Sequence, residues 1–177
     1  RLRVLRGGQR ASQLARLRWS HVAPDALKIL DPKGKRSEPR AHLLPISVQI
    51  QEEISKLAAG QYLLSTDGGE TSMAPSSLTN WAAAIALRAG IRGFQLKRVR
   101  SGIETALARA GVPLHIRGQL QSHGLGGVQE RHYDAHEYLP EKRQALATLY
   151  KLISVKSASS HATAKSRNVV FAQSFQK

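Results

Sequence analysis

A mixed α+β fold, mainly helical and with a small three-stranded antiparallel sheet, is predicted from three features of the sequence. Apolar residues recur at helical spacing through most of the second half of the chain. Three short β-capable runs fall early, before Val48, and clusters of Pro, Gly and Asp separate them. At 177 residues, with 41% hydrophobic residues and a mean hydropathy of −0.32, the chain suits one compact core rather than disorder.

The elements follow in order. Arg1 to Leu5 opens uncapped in a basic and apolar pattern, so the chain is expected to continue from a longer protein. In QRASQLARLRW, Ala11, Leu14, Leu17 and Arg18 recur on successive turns of a short helix. Trp19 to Val22 and Ala26 to Leu30 form a predicted hairpin across Ala23, Pro24 and Asp25. The turn DPKGKRSEPR leads to a third strand through Leu43, Leu44 and Ile46, and Pro45 confines that strand to an edge or its own end. Ser47 caps a helix over about 48–59, with Ile50, Ile54, Leu57 and Ala58 as its apolar stripe. Residues 65–74 read as a loop. Ser76 or Ser77 opens a helix to Arg88, and another spans about 95–110 with Val99, Ile103, Ala106 and Leu107 on its core face. A shorter helical piece covers 116–121, a glycine turn follows at 124–127, and 128–133 is again helical. The segment EKRQALATLYKLI places Leu146, Leu149, Tyr150 and Ile153 on one face. Residues 156–177 carry four Lys or Arg and five Ser with no acidic residue, a basic tail in which Val169, Val170 and Phe171 could dock in cis or on a neighbour.

Charge narrows the function. The 27 Lys and Arg against 12 Asp and Glu give +15, a self-repulsion that a polyanion would neutralise, so nucleic acid is the expected partner. A small basic RNA binder remains a competing class, although the few aromatics form no stacking strip. With no Cys, disulfides, zinc-thiolate sites and thiol chemistry are excluded. No run approaches the ~20 apolar residues of a membrane span. Carboxylates are few and scattered, which disfavours a magnesium nuclease, and no phosphate-binding glycine loop ends in Lys-Ser or Lys-Thr. No cofactor or metal is expected, and a cytoplasmic location near DNA fits best.

Four clusters could carry phosphate chemistry: Arg10 among Gln9 to Gln13, the Lys33/Lys35 turn, Lys97 with Arg100, and His123 followed by Tyr133. Lys97 and Arg100 share a helix face, yet a solvated basic face explains the pair equally well, with Glu104 placed for an ordinary ion pair to Arg100. His123 could be a packing histidine and Tyr133 a core aromatic.

Taken in order, GGQRASQLARLRW, PKGKRSEPRAHLLPIS, FQLKRVRSGIET, LQSHGLGGVQERHYD and YLPEKRQAL resemble the catalytic domain of the tyrosine recombinase or phage integrase family. The resemblance spans roughly residues 1–153, with 23 residues from Arg100 to His123 and 10 more to Tyr133. YLPEKR is most similar to integrases of prophages and integrative elements. It implies a DNA breaking-rejoining fold over 1–155, an N-terminal core-binding domain outside this chain, and the tail at 156–177.

The resemblance also implies roles. Arg10 matches the first catalytic arginine, Lys33 the catalytic lysine with Lys35 as an alternative general acid, and Arg100 the second arginine. His123 matches the third-box His or Trp and Tyr133 the nucleophile, which would form a 3′-phosphotyrosine without metal or ATP. Arg88 and Arg98 are expected to contact DNA. The implied partners are double-stranded attachment sites, three further copies of the chain in a tetramer on DNA, and accessory DNA-bending proteins; the isolated chain is expected to be a monomer. Two positions depart from the family pattern. Lys97 stands where the family has His, and its ordinary pKa near 10.4 makes it a poor general base. Gln13 replaces the usual acidic residue and cannot neutralise Arg10. A catalytically impaired DNA-binding remnant and a type IB topoisomerase-like enzyme are the alternatives.

Overall fold

The computed structural model describes residues 7–31, 39–57, 59–123 and 136–154. Lys33, Lys35, Ala58, Tyr133, the expected helix at 128–133 and the tail at 156–177 lie outside the described residues. The elements are α1 (Ala11–Ala15), β1 (Ala26–Asp31), β2 (Arg40–Pro45), α2 (Val48–Ser55), α3 (Pro75–Arg88), α4 (Leu96–Arg109), α5 (Leu114–Gln121) and α6 (139–154).

Among the described residues the sheet has two strands, not the expected three. β1 and β2 pair antiparallel, with Leu27 opposite Leu44, Ile29 opposite His42 and Asp31 opposite Arg40. The β-capable run at Trp19 is instead a 3-10 turn, Trp19–His21. His21 N–H donates to Arg18 O at 3.0 Å, and the Arg18 N–H donates to His21 Nδ1 at 3.3 Å, so a side chain competes with the ladder. The flanking backbone pairs elsewhere: Leu63 N–H donates to Leu17 O (2.9 Å) and Trp19 N–H to Gln61 O (3.1 Å). Val22 keeps only an isolated bridge to Leu27.

β1 shows the period of a half-buried strand, with Leu27, Ile29 and Asp31 inward and Lys28 exposed. Pro45 ends β2, as its missing N–H requires. Ser47 Oγ accepts the Ile50 N–H (3.3 Å) and caps α2, while α3 starts with Pro75 in its first turn rather than behind a Ser76 or Ser77 cap. α5 begins two residues before the expected Ile116.

Leu14, Leu17, Leu27, Ile29, Leu44, Ile50, Ile54, Ile103, Leu107, Leu120, Leu146 and Leu149 share one core. Tyr150 and Ile153, expected on the inner face of α6, are at least 36% exposed, so that apolar face is narrower than its sequence spacing implies. α4 presents Ile103 and Leu107 inward and leaves Lys97, Arg98 and Ser101 outside. Arg100 falls on its flank, and from there it meets the segment before α1 and the end of α5. No helix among the described residues is long and apolar enough to cross a membrane.

Candidate active site

Three sequence-distant elements converge where the Gly7–Arg10 segment passes between α4 and the end of α5. Gly7 and Gly8 have φ of +74° and +81°, and a Cβ on Gly8 would lie 3.1 Å from Arg100 Cα. Only glycine lets the chain pass that closely in a left-handed conformation. Arg100 then closes the seam, donating from Nη1 to Gly8 O at 3.3 Å and from Nη2 to Gln121 O.

Gln121, at the end of α5 and 1% exposed, ties the parts together. Its Nε2 donates to Gly7 O at 3.0 Å and to Arg100 O at 3.2 Å. With the amide nitrogen so committed, Oε1 faces His123 and accepts from its Nε2–H at 3.1 Å. That contact assigns the imidazole proton to Nε2 and leaves Nδ1 as an acceptor in the neutral ring.

Arg10 caps the other side. Its Nη1 donates to Asp31 Oδ2 at 2.7 Å, and its backbone N–H donates to Gln13 Oε1 at 2.8 Å. Arg10, Lys97 and Arg100 line one open pocket of about 500 Å³ with Thr79, Ala83, Phe94 and Gln95. Both arginines also act on His123. Burial and then the Arg100 charge push its pKa below the ordinary 6.5, with Arg10 adding to this and Glu104 opposing it.

Arg10, Lys97, Arg100 and His123 are therefore brought together. Arg98 is exposed on α4 and Arg88 is exposed at the end of α3, both outside the pocket lining. Lys33, Lys35 and Tyr133 lie outside the described residues; Asp31 and Arg40 bracket the lysine turn. The Arg100–Glu104 pair expected from helix spacing is replaced by a tertiary one. Glu104 Oε1 accepts from Arg117 Nε at 2.7 Å, and its Oε2 lies 3.7 Å from His123 Nε2. Asp31, Gln121, Ser122 and Glu104 were not singled out from sequence for these roles, because apart from the Gln121–His123 contact the bonds that define them join residues 13 to 114 positions apart and have no local period.

No group of three or more His, Asp or Glu that could hold a metal occurs among the described residues. A pocket lined by two guanidiniums and an ammonium can take a phosphate and stabilise charge that grows on its non-bridging oxygens.

No family profile and no curated protein sequence matches the chain. Solved structures do. The integrase of mycobacterium phage Brujita superposes with a TM-score of 0.65 at 19% identity, over 84% of this chain and 49% of that one. The chain has the tyrosine recombinase fold. The recombinase XerA is similar with a TM-score of 0.54 at 17% identity, over 85% of this chain and 55% of XerA. A lambda integrase tetramer bound to a Holliday junction gives a TM-score of 0.52 at 17% identity, over 75% of this chain and 40% of that one. The chain thus spans about half the length of the recombinases it resembles. Within this fold Arg100 lies on α4, and His123 follows two residues after the end of α5.

Proposed function

We propose that the chain is the catalytic part of a site-specific DNA recombinase, an integrase of a prophage or integrative element, which cuts and rejoins strands through a 3′-phosphotyrosine. The observation that carries this reading is the single pocket lined by Arg10, Lys97 and Arg100 within a recombinase fold. The +15 charge and the resemblance of the ordered motifs support it.

In this mechanism Tyr133 Oη attacks the scissile phosphorus, the bond to the 5′-oxygen breaks, and the phenolic proton is lost to a base or solvent. Lys33, or Lys35, protonates the departing 5′-oxygen. Arg10 and Arg100 hold the non-bridging oxygens and strengthen their hold as charge accumulates there. Lys97 orients the phosphate as a cation and not as a base. His123, neutral at pH 7 with its proton on Nε2, donates to the phosphate once that N–H turns from Gln121. A 5′-hydroxyl of a partner strand reverses the attack, so the ester conserves the energy of the broken bond without ATP.

Phosphate contacts fix register and read no bases, so specificity comes from elsewhere, including a core-binding domain and the exposed Arg88 and Arg98. The partners are double-stranded attachment sites, further copies of the chain in a tetramer, and DNA-bending proteins.

The test uses duplexes nicked beside a randomised core, incubated with the full chain in EDTA and resolved on a denaturing gel. A protein-linked strand is expected from the parent and none from Tyr133→Phe. Retarded DNA without any linked strand would support a catalytically impaired remnant instead, and an adduct in Tyr133→Phe would move the nucleophile elsewhere.

A further inference from the structure

The family pattern places an acidic residue three positions after the first arginine, and Gln13 stands there. Gln13 is 1% exposed, and its Oε1 accepts the backbone N–H of Arg10 rather than its guanidinium. The carboxylate that reaches the guanidinium comes from the last residue of β1. Asp31 is buried, and its Oδ2 accepts from Arg10 Nη1 at 2.7 Å. The same oxygen accepts from Ser122 Oγ at 3.1 Å.

Ser122 is itself unusual. It is a buried non-glycine residue with φ 52° and ψ 51°, at the left-handed exit of α5 where glycine is ordinarily found. The hydroxyl that glycine lacks is the group that reaches Asp31. Through this exit the backbone turns so that His123 N–H donates to Gly118 O at 3.1 Å and its ring meets Gln121. One carboxylate oxygen therefore links the first arginine to the turn that sets the histidine.

We propose that Asp31 is a positioning residue of the arginine pocket, orienting Arg10 directly and His123 through Ser122. A guanidinium has five donors in a rigid fork, so holding one edge fixes the direction in which the others point. The carboxylate offsets one positive charge at a site crowded with Lys97 and Arg100. Its effect on catalysis rests on the recombinase reading; its effect on Arg10 does not.

The test separates the two. In ¹⁵N-resolved NMR of the full chain, Asp31→Asn is expected to shift the Arg10 Nε–Hε resonance, with its assignment checked by its loss in Arg10→Ala. An unchanged resonance overturns the proposal whether or not the chain cuts DNA. In the nicked-duplex assay, Asp31→Asn is expected to slow adduct formation about 10- to 100-fold, the size typical of losing a group that orients a functional residue. In an Arg10→Ala background the same change is expected to cost less than it does in the parent, because the Arg10 route is already gone and only the route through Ser122 remains. Equal slowing in both backgrounds would make Asp31 merely structural and would also overturn the proposal. Asp31→Glu, which keeps the carboxylate, is expected to recover part of the rate and guards against a folding defect in the Asn variant. A parent that forms no adduct defeats the recombinase reading and leaves the resonance to decide the role of Asp31.

Discussion

Gln121 donates to the Gly7 and Arg100 carbonyls and accepts from His123, so one buried amide holds three parts of the site in register. Gln121→Leu keeps much of the volume but removes the amide donor to two backbone carbonyls, and a loss of about 1–3 kcal/mol is expected in denaturant unfolding. A change within a few tenths of a kcal/mol would deny that amide its bridging role. His123 provides a pH test. Its pKa is lowered in the folded chain by burial and Arg100, so the folded state binds that proton less readily than the unfolded chain. The resulting contribution to stability is complete above the ordinary value of 6.5 and is lost as pH falls below it, through the lower folded value. Melting curves from pH 7.5 to 5 should therefore fall more steeply for the parent than for His123→Gln; parallel curves would contradict this. Arg10, Arg100 and His123 were legible as residue types at characteristic separations. Gln121 and Asp31 were not, since a buried amide and a strand-end carboxylate look ordinary until folding sets them beside those groups.

The helices were legible because each carries its own period and end signals. Ile103 and Leu107 face inward as spacing requires, and Ser47 caps α2 through the Ile50 N–H. Ser47→Ala is expected to cost about 1 kcal/mol, read from denaturant midpoints. The missing third strand has a local cause, since β-branched and aromatic character near Trp19 cannot reveal that Arg18 and His21 close a turn there or that residues 17–19 pair with residues 61–63. Passage of the Gly7–Arg10 segment past α4 depends on backbone without Cβ. Gly8→Ala meets both a left-handed φ and a 3.1 Å approach to Arg100 Cα, so it should impair the pocket more than its size suggests. A loss of about 1–3 kcal/mol is expected, together with weaker DNA retention; an unperturbed variant would mean the segment has room to move.

Over the whole molecule, a +15 chain is expected to hold DNA largely through phosphates. Retention by this chain alone should be weak, poorly specific and steeply reduced between 50 and 200 mM salt, by about 10³-fold if six phosphates are neutralised. Sub-micromolar binding to one short site at physiological salt would instead assign base reading to this chain. The basic balance was plain in the composition, but the route by which Arg10 and Arg100 come to share a pocket was not, because it depends on the crossing of α4 with the glycine segment. That shared pocket is the centre of the account. Its most direct measurement is a crystal structure of the chain with tungstate, a heavy mimic of phosphate. Density for the oxyanion within hydrogen-bonding distance of both guanidiniums is expected; tungstate bound at other basic sites, with this pocket left empty at saturating concentration, would contradict it.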